Sequence, residues 1–335
     1  MSLQTIGDLA RGVMLRRQNA ELKTQMARLT QEVSTGRTAD PVRHLSAQMA
    51  GLADIEQSLT LNQSYKTAAA EAGVMASAMQ AALGRVEAET GDLANGLVLA
   101  KTTAGPVEAP IMAGQARAAL DAVVSSLSTR AAGRALFAGS EVSVQPLAQA
   151  GTLVSAVQTA LGGASDAASV EAAVAGFFAP GGDFENLIYQ GGDAPLGAIP
   201  LGAGEAVTLD IRADSAALRD VLQNTVLAVM AGDQGLGLTA TDRQALLARA
   251  GEGLLSAQGK MAVLRADLDH AEHRIEQASS RIASEISGLE VARNTLTAID
   301  PFTSASELEA VQLQLETLYT ITARSSRLNL VNFLS

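Results

Sequence analysis

Apolar residues recur every three or four positions along residues 254–299. This spacing places them on one face of a single helix, and no proline interrupts the chain between Pro200 and Pro301. At about 1.5 Å per residue such a helix is roughly 70 Å long, too long to bury its stripe against a compact core. The pattern therefore predicts a long helix that packs along another long helix.

Three further segments show helical periodicity, at residues 2–33, 45–99 and 111–138. The second is long enough to be the partner of the 254–299 helix. The first should end near Gly36 and Pro41, because glycine favours the position after a helix and the residue before proline avoids the α region.

The last segment follows the pair Asp300-Pro301, which mirrors Asp40-Pro41 near the other end of the chain. Ser306 and Glu309 have the spacing of a capping box, which predicts that the last helix begins there. The stripe that follows continues to the bulky apolar C-terminus.

The middle of the chain, residues 140–240, has a different character. Prolines and glycine pairs divide it into short pieces, and apolar and polar residues alternate over 207–212 as in a half-buried strand. Residues 153–161, 170–178 and 218–230 have the pattern of short helices, and the aromatic residues gathered here indicate a small core. The fold class predicted is mainly α, with a small mixed α/β insert domain.

Composition narrows the function classes. The 335-residue chain carries a net charge of −11, which argues against nucleic acids and anionic membranes as partners. It has no cysteine, which excludes disulfides and thiolate sites, and it lacks an apolar run long enough to span a membrane. Charged residues interrupt the first 18 positions, so any export is expected without a cleaved signal peptide.

No catalytic, cofactor-binding or metal-binding residue stands out. His270 and His273 lie among acidic residues, but they flank the apolar stripe and belong to the solvated edge of the long helix. The glycine pairs lack the strand and helix context of a phosphate loop, and no nucleophile elbow is present. We therefore expect a protein that is not an enzyme and has no cofactor.

The apolar chain ends allow two interpretations. Either both ends dock onto the protein's own core, or they pair with each other and then with neighbouring copies. Under the second interpretation the assembly interface comprises Leu22, Met26, Leu29, Val33, Leu308, Val311, Leu315, Leu318, Leu328, Val331, Phe333 and Leu334.

Four motifs occur in order at matching positions along the chain. They are STGR with a following Asp-Pro at 34–41, GRALFAGS at 133–140, YQGGD at 189–193 and SSRLNLVNFL at 325–334. Together they resemble motifs of the flagellin superfamily, and most closely those of the hook-filament junction proteins, hook-associated protein 3 of the FlgL type. The YQGGD element resembles one found in junction proteins and not in filament flagellins.

The resemblance implies an elongated helical bundle or coiled coil built from both ends of the chain. Residues 1–40 and 301–335 would be terminal assembly segments, 41–139 and 241–300 a helical rod, and 140–240 an outward-facing insert. It also implies unfolded export through the flagellar type III apparatus and an extracellular place at the hook-filament junction.

The partners implied are further copies of the chain in a ring, hook-associated protein 1, flagellin and an export chaperone at the C-terminal segment. A filament flagellin is the nearest alternative, and an intracellular coiled-coil scaffold is a second.

Overall fold

A computed structural model describes the backbone of residues 3–103 and 108–334, and the side chains of 10–46, 48–99 and 109–324. The fold is mainly helical, as predicted. The helices are α1 (Leu3–Thr35), α2 (Pro41–Leu45), α3 (Met49–Thr103), α4 (Glu108–Leu127), α5 (Ala150–Ala160), α6 (Ala167–Phe177), α7 (Ala216–Ala231), α8 (Ala240–Thr297) and α9 (Pro301–Leu334). A 3-10 turn (Ser46–Gln48) precedes α3, and a π turn covers Phe184–Ile188.

The described strands form two short antiparallel hairpins. One pairs β1 (Arg130–Ala131) with β2 (Arg134–Ala135), and the other pairs β3 (Ile199–Gly202) with β4 (Glu205–Val207).

The chain divides into two compact units. The first, here called the terminal unit, combines Met1–Gln63 with Ser284–Ser335. The second, the body unit, comprises Ser64–Ala283.

Within the body unit, α3 and α8 run side by side in opposite directions. Gly73 faces Ile275, Gln80 Nε2 donates a hydrogen bond to the Arg265 carbonyl at 3.1 Å, and further along Gly91 faces Gln258. Both helices bury large apolar residues at helical spacing, among them Met75, Met79, Leu83, Val86, Leu93 and Leu97 of α3 and Leu254, Met261, Leu268, Ile275 and Ile282 of α8. The packing of two long helices that the periodicity predicts is confirmed.

Helix α7 packs against α4 and α8. It buries ten of its 16 residues. Gly232, at its C-terminal end, touches α4 so closely that a Cβ there would lie 2.2 Å from the Ala113 Cβ. On its other side, Asp220 pairs with the Lys260 ammonium of α8. The end of the middle segment is therefore built into the helical core.

The aromatic residues of the middle segment form a cluster. The Phe177 ring meets Phe178 edge-on with centroids 5.3 Å apart, and Phe178 stacks on Phe184 at 5.0 Å. All three rings are buried. Short helices α5, α6 and α7 occur where the pattern predicts them.

Three boundaries differ from the prediction. The third helix ends at Leu127, not near 138, and residues 130–135 turn back as the β1-β2 hairpin. Apolar residues at Ala131 and Ala138 kept the helical spacing by chance, but Ala132 and Gly133 have positive φ values of 49° and 78°, which ends any helix.

The predicted strand at 207–212 is paired only at its first residue. Val207, Leu209 and Ile211 are buried as the alternation indicates, while β4 ends at Val207. Side chains of an extended segment point alternately to opposite sides whether or not the segment pairs with another strand. The alternation of apolar and polar residues therefore could not show how many of these residues are paired.

The last helix begins at Pro301, five residues before the predicted capping box. Asp300 provides its cap, and Ser306 Oγ instead donates to the Phe302 carbonyl inside the helix at 3.0 Å.

Candidate assembly interface

Helices α1 and α9 pair through a small core. Leu22 and Leu29 of α1 are buried against Val311, Leu315 and Leu318 of α9. The partly buried residues Leu15, Met26 and Leu308 pack around this group. The two ends of the chain therefore meet in one helical element, here called the terminal pair.

A polar contact extends the terminal pair beyond its core. Asn19 and Lys23 of α1 form hydrogen bonds with the Tyr319 hydroxyl of α9, and these bonds lower the pKa of that phenol. The segment that leads into α9 is bonded to Gly36 at the end of α1, whereas Tyr319, 18 residues into α9, reaches Asn19 and Lys23. The two helices therefore run in opposite directions.

The structure places most of the predicted interface residues inside this pair. Leu22, Leu29, Val311, Leu315 and Leu318 are buried, and Met26 and Leu308 lie at the edge of their core. Val33 is 39% exposed. The side chains of Leu328, Val331, Phe333 and Leu334 lie outside the described residues. Contact of any of these residues with neighbouring copies stays a prediction.

Sequence reasoning missed two exposed apolar residues on α9. Phe302 is 80% exposed and Leu313 is 65% exposed. They are eleven residues apart, close to three helical turns, so they share the face opposite the Leu315 side of the helix. Leu313 falls outside the three-four stripe, which is the signal that could have identified it.

A short antiparallel β-bridge, with Arg37 opposite Ala298, joins the turn after α1 to the end of α8. The Thr38 amide donates to the Thr297 carbonyl at 2.8 Å, and the Ile299 amide donates to the Gly36 carbonyl at 3.2 Å. Gly36 has a φ of +70°, the left-handed conformation that glycine adopts after a helix. The STGR motif therefore ends α1 and fixes it to the segment that leads into α9.

Glu32 secures this turn from inside. Its side chain is only 4% exposed. It accepts two hydrogen bonds from the Arg28 guanidinium, at 2.9 and 3.0 Å, and one from the Ala39 amide at 3.0 Å. A buried carboxylate with this many donors is satisfied, and removing it would leave Arg28 without its partner.

The two Asp-Pro pairs have the same local role. Asp40 Oδ1 accepts from the Arg43 amide at 3.1 Å at the start of α2, and Asp300 Oδ1 accepts from the Phe302 amide at 3.1 Å at the start of α9. Each proline occupies the first helical position, where no amide hydrogen is needed. The hydroxyl of Thr303 also donates to Asp300, and these bonds lower the pKa of Asp300.

The two motifs around the middle segment come together in the body unit. The Gly192 amide donates to the Ala138 carbonyl at 2.9 Å, and the Ser140 amide donates to the Ala194 carbonyl at 2.9 Å. Gly139 has a φ of +59°, and a Cβ on it would lie 2.5 Å from the Ala194 carbonyl oxygen. The backbones approach so closely that glycine is required there.

Tyr189 adds a side-chain hydrogen bond where these two motifs meet. Its hydroxyl donates to the Gly192 carbonyl at 3.0 Å. Burial, with the nearby Asp214 carboxylate, raises the pKa of Tyr189 to about 12. Burial also raises the pKa of Asp214, although Arg212 Nε lies 3.1 Å from its Oδ1. The GRALFAGS and YQGGD motifs thus form one structural junction, here called the glycine junction.

Other kinds of site are not evident in the part of the chain that the structure describes. No group of three or more His, Asp or Glu residues there could hold a metal ion. Among those same residues, no helix has the length and apolar character to cross a membrane.

Comparison with known proteins identifies the C-terminal region. Residues 253–334, which include most of α8 and α9, match the family model of the bacterial flagellin C-terminal helical region. Comparison with curated proteins gives no match.

Among solved structures, one similar chain is a protein proposed to be a flagellar hook-associated protein from Vibrio parahaemolyticus. It has a TM-score of 0.52 and 10% identity, and the match covers 75% of this chain and 99% of the other. Another is Bacillus cereus FlgL, with a TM-score of 0.40, 14% identity and coverage of 73% and 96%. The first match shows a shared fold.

The family match includes the helix that pairs with α1, and the fold matches nearly the whole of the Vibrio chain. The C-terminal quarter of the chain therefore matches the bacterial flagellin C-terminal helical region, and the chain shares the fold of the Vibrio protein.

Proposed function

We propose that this protein is a structural subunit of the bacterial flagellum, and that it is the junction protein between the hook and the flagellin filament. The observation that carries this proposal is the terminal pair: the flagellin C-terminal region folds back onto α1, so both chain ends form one element. On this proposal hook-associated protein 1 lies on one side of the subunit and flagellin on the other.

Two observations favour a junction protein over a filament flagellin. The YQGGD motif, which resembles an element of junction proteins, is an integral part of the glycine junction. The Vibrio chain, itself proposed to be hook-associated, is covered almost completely by the fold match. Neither observation concerns catalysis, and the role proposed is contact between subunits in a ring.

The proposed organisation follows the chain. Residues 1–40 and 301–335 would make the assembly contacts, and 41–139 and 241–300 would form the rod. Residues 140–240 would face outward except for α7, which packs against α4 and α8. Export through the type III apparatus without a cleaved signal peptide, and a chaperone that covers the apolar C-terminal segment before export, belong to the same proposal.

Site-specific labelling can test this function because the chain has no cysteine. Ser165 is exposed between α5 and α6, so a Ser165→Cys variant should accept a maleimide-gold label without disturbing the core. The variant would be expressed in place of the native chain, and flagella would be imaged with the cysteine-free chain as the control.

A single band of gold where the hook meets the filament is the expected result. Gold along the whole filament would identify a flagellin instead. Label found only inside the cell would support the intracellular scaffold and overturn the flagellar proposal.

A further inference from the structure

The terminal unit contains a polar pocket between the end of α1, the turn that leads into α2 and the first turns of α9. Its volume is about 380 Å³, and it is here called the turn pocket. Acidic groups are in excess along its lining, where four carboxylates face two guanidinium groups and His44 counts as neutral at pH 7. These groups belong to Glu32, Asp40, Asp300 and Glu307, and to Arg28 and Arg43. The pocket therefore carries a net negative charge.

Only part of this acidic lining is satisfied within the chain. Glu32 is held by hydrogen bonds inside the turn, and both carboxylate oxygens of Asp300 accept from the first turn of α9. Asp40 uses only its Oδ1 atom to cap α2. The Glu307 carboxylate has no hydrogen bond or ion pair with any residue that the structure describes. Acceptor atoms therefore remain for a cation from outside the chain.

Ser304 gives an independent indication that the turn pocket holds a ligand. It lines the pocket and is only 8% exposed. The hydroxyls beside it are satisfied, because Thr303 donates to Asp300. Ser306 likewise donates to the Phe302 carbonyl. Within the described part of the chain the Ser304 hydroxyl has no hydrogen-bond partner. A buried hydroxyl without a partner costs free energy, and a ligand that enters the pocket with a donor group would remove that cost.

We propose that the turn pocket binds an arginine side chain of a protein other than this chain. A guanidinium has five N–H donors and no acceptor, so it matches a lining whose unused atoms include Asp40 Oδ2, the Glu307 carboxylate and the Ser304 oxygen. No group of three or more His, Asp or Glu residues in the described chain could hold a metal ion, whereas the planar fork of arginine reaches acceptors that lie apart.

Exposed apolar residues beside the turn pocket favour a protein as the source of the arginine. Val42 precedes Arg43 in α2 and is 66% exposed, and Phe302 precedes Thr303 in α9 and is 80% exposed. A small soluble cation needs no apolar surface, whereas protein interfaces combine charged anchors with apolar contacts around them. A second copy fits less well, because chains of net charge −11 repel each other and an acidic pocket adds to that repulsion.

The identification of this partner as a flagellar protein rests on the proposed function. The chemistry of the turn pocket does not, since it depends only on the lining of the terminal unit.

Titration with two short capped peptides tests the proposal. The full-length chain, containing isotope-labelled threonine, would be titrated at low ionic strength with acetyl-Gly-Arg-Gly-amide and separately with acetyl-Gly-Glu-Gly-amide. The NMR signals of the Thr38 and Thr303 amides report binding, because both residues line the pocket. We expect the arginine peptide to shift these signals in a saturable way, with an affinity that falls as salt is added, and the glutamate peptide to leave them unchanged.

Four variants locate the binding site. Glu307→Gln should weaken the arginine peptide several-fold because it removes the unpaired carboxylate. Ser304→Ala should also weaken it, without lowering the melting temperature, because the hydroxyl has no partner to lose in the folded chain. Arg43→Gln should strengthen binding because it removes a charge of the same sign as the ligand. Glu309→Gln, at an exposed position of the same helix outside the pocket, is the matched control and should change nothing.

The other outcomes overturn the proposal. Tighter binding of the glutamate peptide, or weaker binding of the arginine peptide to Arg43→Gln, would mean that the pocket selects an acid. Threonine signals that respond to neither peptide, or equally in Glu307→Gln and the unchanged chain, would mean that the pocket has no such role. Shifts that follow the concentration of the chain alone would mean that a second copy fills it.

Gold at the hook together with no response to the arginine peptide would refute the pocket and leave the proposed function intact. A response to the peptide without gold at the flagellum would do the reverse.

Discussion

The body unit and the terminal pair differ in how much apolar surface each buries. In the body, α7 alone buries ten of its 16 residues. The terminal pair, built from helices of 33 and 34 residues, shares a core of five buried side chains. Burying five large apolar groups contributes on the order of 10 kcal/mol at most. The comparison indicates a body that is stable by itself and terminal helices that need further contacts to be firmly ordered.

Removing residues 326–335 should separate the behaviour of the two regions most clearly. The last turns of α9 would be lost, so we expect assembly to be abolished while the body keeps its helical content and melting temperature. Circular dichroism and sedimentation of the truncated chain measure both. A body that melts with the truncation would contradict the distinction between the two regions.

Leu29→Ala should weaken the terminal pair without affecting the body. Leu29 is 2% exposed in a small core, so the cavity should cost about 2–4 kcal/mol of local stability. Amide exchange in α1 and α9 should accelerate, while exchange in residues 64–283 stays unchanged. Leu313→Ala, at a 65% exposed position of α9, should have almost no effect on exchange.

Asp300→Ala should have a smaller effect at the start of α9. The Phe302 amide and the Thr303 hydroxyl would lose their acceptor, which costs about 1 kcal/mol for a typical helix cap. Exchange in the first turns of α9 reports the change. Glu309→Ala, at an exposed position of the same helix, is the control, and an equal effect there would exclude a capping role.

Ala132→Gly should stabilise the body slightly. Ala132 has a φ of +49°, where a side chain is strained and glycine is not, so the expected gain is below about 1 kcal/mol. Gly133→Ala, at a φ of +78°, should destabilise by a similar amount. Urea unfolding of both variants measures the change in the free energy of unfolding that each substitution causes. Changes of the same sign would contradict the hairpin geometry.

Asp214→Asn tests the charge at the glycine junction. Burial raises the pKa of Asp214 above its unfolded value of 3.8, so its charged form disfavours the folded state at neutral pH. This destabilisation is complete above the folded pKa and disappears as the pH falls below the unfolded pKa. The variant should therefore be more stable than the native chain at pH 7, with a difference that shrinks on acidification. Urea unfolding at several pH values measures this difference, with Asp210→Asn, at an exposed position, as the matched substitution.

The long helices could be predicted from the sequence because many residues repeat one spacing. Leu254, Met261 and Leu268 each indicate the same buried face of α8, so the helix is still predicted if one position departs from the pattern. The β1-β2 hairpin could not be predicted in this way, because its position depends on two backbone torsions at Ala132 and Gly133.

The candidate interface was predicted in part for a related reason. The stripes that contain Leu22 in α1 and Val311 in α9 indicated an apolar face on each helix, but not what covers that face. The structure places them against each other. The close approach of Gly139 and Gly192 joins residues that are distant along the chain, and local periodicity contains no information about it.

Amide hydrogen exchange of the purified chain, compared segment by segment, tests whether the terminal pair depends on neighbouring subunits for its order. We expect fast exchange in α1 and α9 beside strong protection of α3 and α8 within residues 64–283, with α1 and α9 becoming protected after assembly. Equal protection of all four helices in the isolated chain would mean that the terminal pair is already complete, and would contradict the claim that it is ordered by neighbouring subunits.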